Sequence, residues 1–115
     1  MKTNQEIVKI FEETIELLQL MKTKSETVFK INAYRKAIHI LSNLKIDISD
    51  IYKEKGLAGI KDLGIGEKNA KKIEEYLKKR KIKYFEELKE ETAIQQIVTY
   101  YFQTKDISLN QLKYN

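Results

Sequence analysis

The stretch IKDLGIGEKNAKKI, residues 60–73, decides the fold of this chain because it sets two glycines between two helical segments. All four glycines of the 115 residues lie between Gly56 and Gly66, and the chain has no proline. Glycine costs about 0.5–1 kcal/mol relative to alanine inside a helix or strand, so its confinement indicates a backbone that needs unusual conformations there. The alternation of apolar residues and glycines predicts a tight turn at Gly64 to Gly66.

This segment resembles the helix-hairpin-helix motif. Leu63 and Ile65 are placed to anchor the turn in a core. Gly64 and Gly66 would adopt dihedral angles closed to other residues and let a phosphate approach the main chain. The small Ala70 would let the two helices cross closely, and the second helix would begin with free N–H groups that attract an anion. The alternative is a turn that only joins two helices.

The positive charge of the chain is concentrated directly after this turn. Residues 67–83 hold eight basic and three acidic side chains, so their net charge of +5 equals that of the whole chain. The other 98 residues carry 14 basic and 14 acidic side chains. A lysine-rich composition alone would not place the excess in one segment. The concentration favours binding of a polyanion beside the turn.

Length and composition narrow the class of protein. A chain of 115 residues predicts one domain with a modest core. Without cysteine and with His39 as the lone histidine, disulfides and cysteine or histidine metal clusters are excluded. No apolar run reaches the roughly 18 residues of a membrane span, and the first residues are too acidic for a signal peptide. We therefore expect an intracellular protein without a membrane partner; the sequence leaves its oligomeric state open.

Apolar residues recur at helical spacing and predict an all-α fold, a small helical bundle that contains the hairpin. Residues 4–21 form the first amphipathic helix by this criterion. A second helix is expected to begin at a capping box of Thr23 and Glu26 and to end near Leu44. Its apolar stripe would comprise Val28, Ile31, Tyr34 or Arg35, Ile38 and Leu41.

The second half of the chain also reads as helical, with no strand pattern. Asp47 or Ser49 is expected to cap a short helix, followed by one further turn at residues 57–61. Residues 69–81 predict a helix by propensity and spacing, and residues 84–103 predict one or two more. The apolar positions of this last segment are Phe85, Leu88, Ile94, Ile97 and Tyr101.

A second motif, VFKINAYRKAIHIL at residues 28–41, carries a wider resemblance. KxNAYRKA on a helix, followed some thirty residues later by LGIG, KxxxK and IxEYL, is similar to the amino-terminal domain of family X DNA polymerases. The similarity covers roughly residues 5–88. It implies a small helical bundle that binds the 5′-phosphate side of a DNA gap. In several members this domain is a 5′-deoxyribose-phosphate lyase of base excision repair.

The resemblance assigns roles to individual residues. Lys72 falls on the position of the lyase nucleophile. Positions associated with the 5′-phosphate and the sugar fall on Lys30, Tyr34 and Lys68. Arg35 completes the helix motif, and with Gly64 and Gly66 of the hairpin it is predicted to bind DNA. Backbone carbonyls that hold a monovalent cation, Na⁺ or K⁺, in the family's hairpin match those of Ile60, Asp62 and Ile65. The lyase chemistry itself requires no metal or cofactor.

The residue types suit that chemistry. A free lysine has a pKa near 10.4, so only about one amine in a few thousand is a neutral nucleophile at pH 7. Lys68 and Lys72 stand one helical turn apart on the same face. Their repulsion, with Lys30 brought in from the other helix, would lower the pKa of Lys72 while the same cations hold a phosphate.

The chain departs from the family pattern at four positions. Phe29 stands where histidine is common, and Tyr84 stands where a further basic residue is common. Lys71 replaces an acidic residue, and Leu63 replaces the usual proline of the hairpin. Compared with the family, these departures predict weaker binding of phosphate and less assistance to the proton transfer of the lyase reaction.

The resemblance divides the chain and leaves three functions open. Residues 1–90 would be a lyase-like DNA-binding domain, and residues 91–115 a helical extension that is a remnant or the start of a second hairpin subdomain. No nucleotide loop with three aspartates follows, so polymerase activity is not expected. The first function is a lyase on gapped or 5′-incised abasic DNA without sequence preference. The alternatives are a non-catalytic DNA-binding or recruitment module and a protein-interaction bundle.

Overall fold

A computed structural model describes residues 1–21 and 25–104 of the chain, and this part is helical apart from short connections. The five helices in chain order are α1 (Lys2–Leu20), α2 (Ser25–Asn43), α3 (Ile48–Asp62), α4 (Glu67–Lys79) and α5 (Lys83–Thr104). No strand occurs in the described ranges, which confirms the prediction of an all-α small bundle. The capping box expected at Thr23 and Glu26 lies outside the described backbone and side chains.

The core forms where α1 packs against α2. Buried residues recur along both helices at steps of three and four, as the spacing predicts. Within this core the rings of Phe11 and Tyr34 pack edge to face, with their centroids 5.1 Å apart. The sequence left open whether Tyr34 or Arg35 belongs to the apolar stripe of α2. Tyr34 is buried and Arg35 is exposed, so the stripe contains Tyr34. Val28 is 47% exposed, so the buried stripe begins one turn later, at Ile31.

The connection from α2 to α3 is held by two polar side chains. The buried amide of Asn4 donates to the carbonyl of Ile46 at 2.9 Å and accepts from the N–H of Ile48 at 2.8 Å. Asp47 caps α3 by accepting from the N–H of Ser49 at 2.8 Å. The hydrogen bonds from Ser49 lower the pKa of the Asp47 carboxyl. Asn4 therefore fixes the start of α3 against α1, and Asp47 defines where α3 begins.

Two glycines shape α3. Gly56 has φ 66° and ψ −154°, a region that is essentially closed to other residues, and it divides the helix into the two segments that the sequence predicts. Gly59 is buried, and a Cβ there would lie 2.6 Å from the Cβ of Lys55 and 3.1 Å from the Cγ2 of Ile51. Its role in close packing is not visible from the sequence.

The predicted hairpin joins α3 to α4. Gly64 has φ 101° and so needs to be glycine, as expected. The expectation was wrong for Gly66, whose φ of −62° and ψ of 156° are open to any residue. Ile65 is buried, and Ala70 is fully buried where the two helices cross. Gly66 is therefore free of conformational constraint, and its small size matters only for what approaches it.

Helix α5 is a single helix that leaves the bundle halfway along. Phe85, Leu88 and Thr92 are buried, and Glu75 of α4 accepts from the N–H of Lys83 at 2.9 Å. The expected apolar face does not continue into the core, because Ile94, Ile97 and Tyr101 are 52–68% exposed. The helix runs without a break across the boundary proposed between residues 90 and 91. It gives the molecule a longest dimension of 58 Å.

Candidate nucleic-acid interface

A cleft of about 520 Å³ opens between α2, the start of α4 and the start of α5. These three helices all contribute buried residues to the core. The walls of the cleft are therefore packed helices and not a loop. Its walls combine cations, aromatic rings and the first turn of α4. The lining residues are Lys30, Ala33, Tyr34, Gly66, Glu67, Lys68, Asn69, Lys72 and Tyr84.

Lys72 is the half-buried cation of this cleft. Its Nζ lies 5.6 Å from the centre of the Tyr34 ring and 5.1 Å from the centre of the Tyr84 ring. Burial lowers the pKa of the Lys72 amine, and the charges of Lys30 and Lys68 lower it further. Glu75 opposes the shift. The arrangement raises the fraction of neutral, nucleophilic amine above that of a solvated lysine.

The two tyrosines define the aromatic walls. The ring of Tyr84 also lies 5.5 Å from the Nζ of Lys30, so two ammonium groups lie within cation–π distance of this one ring. Burial raises the pKa of the Tyr34 hydroxyl, with a smaller contribution from Tyr84. Tyr34 is therefore a neutral phenol that can donate a hydrogen bond throughout the ordinary pH range.

The first turn of α4 is an open anion site. Gly66 is the N-cap and gives the helix no side-chain cap. In the described part of the chain, the N–H groups of Glu67, Lys68 and Asn69 have no hydrogen-bond acceptor. The helix dipole adds a partial positive charge at this end. The carboxylate of Glu67 is countered by Lys61 at 3.7 Å and Lys71 at 3.9 Å.

The structure brings together most of the residues that the sequence singles out. Lys30, Tyr34, Lys68, Lys72 and Gly66 all line the cleft. Within the described ranges, the three lysines form no ion pair with a carboxylate. Their charges are therefore available to an anion.

Two of the predicted DNA-binding residues lie elsewhere. Arg35 is exposed on α2 but does not line the cleft, because its neighbour Tyr34 takes the inward position. Gly64 lies in the turn, outside the lining. Both remain predictions as DNA contacts beyond the cleft.

Sequence reasoning missed Asn69 as a cleft residue and treated Tyr84 only as a departure from a pattern. Asn69 stands three residues before Lys72, so helical spacing alone would have placed it on the same face. Tyr84 comes from α5, and its approach to Lys72 depends on how α5 packs. Only the tertiary structure could reveal that contact.

The hairpin carbonyls are partly free. The carbonyl of Ile60 accepts from the N–H of Leu63 at 3.2 Å and keeps one lone pair. In residues 1–21 and 25–104, the carbonyls of Asp62 and Ile65 accept no backbone hydrogen bond. Free carbonyl oxygens are ligands that a monovalent cation accepts, and the cation site itself stays a prediction. The same ranges hold no cluster of three or more His, Cys, Asp or Glu side chains placed to bind a metal.

Fold and site together define a small helical module that presents a glycine turn, an uncapped helix end and a cluster of cations to a polyanion. A profile of the helix-hairpin-helix domain family matches residues 2–82, and the chain belongs to this family. Comparison with curated proteins and with solved structures finds no match. Membership of the helix-hairpin-helix family indicates that the polyanion bound by this module is DNA. Among the described helices, none is long and apolar enough to cross a membrane.

Proposed function

We propose that this domain binds the 5′-phosphate side of gapped or incised DNA and removes a 5′-deoxyribose phosphate, with Lys72 as the nucleophile. The observation that carries the proposal is the environment of Lys72. The amine of Lys72 lies near two aromatic rings and borders a cleft. Burial and two flanking lysines lower the pKa of this amine. This is the environment that turns a lysine into a nucleophile near neutral pH.

The chemistry proceeds in balanced steps. The neutral amine of Lys72 attacks the C1′ aldehyde of the ring-opened sugar, and water leaves to give a Schiff base. Loss of the C2′ proton to water is followed by cleavage of the bond between C3′ and its oxygen. The DNA leaves with a 5′-phosphate, and hydrolysis of the Schiff base frees the amine. The iminium nitrogen takes up the electron pair released at C2′.

Phosphate capture is assigned to groups around Lys72. Lys30 and Lys68 supply charge, and the free N–H groups of the first turn of α4 supply directed hydrogen bonds. The neutral hydroxyl of Tyr34 is a further donor. None of these groups reads a base edge, so binding is independent of sequence.

A monovalent cation at the hairpin is part of the proposal. The free carbonyl oxygens of Asp62 and Ile65, with that of Ile60, would hold Na⁺ or K⁺ against a DNA phosphate. The expected result is weaker DNA binding when both ions are replaced by tetramethylammonium at constant ionic strength. Equal affinity in the two salts would remove the ion from the proposal.

Borohydride trapping tests the lyase. The protein is incubated with a duplex carrying a 5′-incised abasic site, the Schiff base is reduced, and the adduct is located by peptide mapping. We expect one adduct at Lys72 that is lost in Lys72→Ala. The matched control is Lys71→Ala, since Lys71 is the adjacent, exposed lysine of the same helix. An undiminished adduct in Lys72→Ala would overturn the assignment.

A second function uses the same surface without chemistry. The exposed Lys30 and Lys68 and the uncapped end of α4 would bind a phosphate whether or not Lys72 reacts. Gap binding with no trapped adduct would identify such a recruitment module.

A further inference from the structure

Asn69 is a polar side chain in an unusual position. It is only 6% exposed, yet it lines the cleft. Its amide forms no hydrogen bond within the described part of the chain. In the described part of the chain the buried side-chain polar atom without a partner is Oε1 of Glu6, so the unpaired amide of Asn69 is reached by solvent. The open cleft beside Asn69 is where a partner for this amide can enter.

The order of groups along α4 indicates what that partner is. Lys68 and the free N–H groups at the start of α4 attract a phosphate, and Lys72 carries the reactive amine. Asn69 lies between them in sequence and one turn from Lys72. A ring-opened 5′-deoxyribose phosphate has the same order: a phosphate on C5′, a hydroxyl on C4′ and an aldehyde at C1′.

We infer that Asn69 binds the C4′ hydroxyl of the ring-opened sugar and thereby selects the form that reacts with Lys72; this inference rests on the proposed function. In the closed ring the same oxygen is an ether, which can only accept a hydrogen bond. Ring opening converts it to a hydroxyl that donates and accepts. A side-chain amide offers both a donor and an acceptor, so it satisfies the open form better than the closed form. Asn69 is a specificity residue and takes no part in bond making.

Two unreactive DNA ends isolate this contact from catalysis. Borohydride reduction of the incised abasic end gives a 5′-deoxyribitol phosphate, which has the C4′ hydroxyl and no aldehyde. A tetrahydrofuran 5′-phosphate has the ring ether and no aldehyde. We expect the unchanged protein to bind a gapped duplex with the first end about 3- to 10-fold more tightly, the effect of one hydrogen bond. Asn69→Leu should abolish this preference.

The control variant is Gln96→Leu, which removes an exposed amide on α5 and should keep the preference. Thermal melting checks the fold. Asn69→Leu should melt no lower than the unchanged protein, since the amide that it removes has no hydrogen-bond partner in the described part of the chain. If that variant fails to fold, Asn69→Ala takes its place and should also lose the preference.

The outcomes separate this inference from the lyase proposal. Equal binding of the two ends by the unchanged protein, or a preference that survives in Asn69→Leu, overturns the role of Asn69. Trapping at Lys72 would still support the lyase in that case. A preference that Asn69 controls, without any trapped adduct, supports the sugar contact and overturns the lyase.

Discussion

Lys72 shows how the burial of one charged side chain carries a cost in stability. Its amine lies near the rings of Tyr34 and Tyr84, and its charge is partly buried near Lys30 and Lys68. The lowered pKa means that the folded chain holds this proton less tightly than the unfolded chain. Functional sites commonly keep such local conflicts.

Lys72→Met should therefore stabilise the protein at neutral pH. Methionine keeps the apolar stem and removes the charge, so we expect Tm to rise by about 1–4 °C at pH 7. The penalty of Lys72 is full below its folded pKa and disappears as pH rises from there towards 10.5, the ordinary pKa of a lysine. The gain in Tm should shrink over the same range in differential scanning calorimetry.

The matched control for this prediction is Lys71→Met, on an exposed lysine, which should change Tm little. A gain in Lys72→Met that is equally large at pH 7 and above pH 10.5 would mean that packing, and not charge, is responsible.

At the scale of elements, the start of α4 has a free end that a better cap would close. Gly66 has the extended backbone of an ordinary N-cap, and a Cβ there would meet no atom within 4 Å. Serine is a better N-cap than glycine by a few tenths of a kcal/mol. The helix therefore lacks the small stabilisation of a side-chain cap, and the N–H groups of its first turn stay free to bind a ligand.

Gly66→Ser should raise Tm by about 1–3 °C and weaken binding to a gapped duplex several-fold. The hydroxyl would accept from an N–H group of the first turn, where a phosphate is expected to bind. Calorimetry and fluorescence anisotropy measure the two effects. Unchanged or tighter DNA binding in a stabilised variant would show that the end of α4 does not contact phosphate.

Helix α5 changes character along its length. Leu88 is 4% exposed, whereas Ile97 is 68% exposed and lies beyond the last buried residue, Thr92. We expect Leu88→Ala to lower the free energy of unfolding by about 2–5 kcal/mol, as for other core leucines. Ile97→Ala should change it by less than about 0.5 kcal/mol in urea unfolding. A comparable loss in both variants would mean that the outer part of α5 is packed in solution.

At the scale of the whole molecule, charge is unevenly distributed. Residues 67–83 carry the entire net charge of +5, and they form α4 and its flanks, which border the cleft. A polyanion is therefore attracted to one side of the molecule. Binding through phosphate contacts releases counterions, so affinity falls as salt rises.

For three phosphate contacts we expect the affinity for a gapped duplex to fall about 30- to 60-fold between 50 and 200 mM salt. Lys68→Gln should reduce the slope of log affinity against log salt by about 1. Lys53→Gln, on an exposed lysine of α3 outside the cleft, should leave the slope unchanged. Salt-independent affinity would favour the protein-interaction bundle.

The sequence predicted the helices, the hairpin and the shared face of Lys68 and Lys72, because all of these depend on neighbours within a few residues. The same local reasoning failed for Ile94, Ile97 and Tyr101, since periodicity marks an apolar face but does not say whether anything covers it. It also assigned to both hairpin glycines a strained backbone that Gly64 has and Gly66 does not.

The sequence by itself determined that this chain is a helical bundle with a glycine turn and a localised excess of positive charge. Contacts between distant parts of the chain place the half-buried Lys72 beside Tyr34 and Tyr84 and put Asn69 in the lining of a cleft. The difference comes from how far apart along the chain the interacting residues lie. Helix and turn formation depend on the local chain, whereas burial and the resulting pKa of Lys72 depend on α2, α4 and α5 meeting in space.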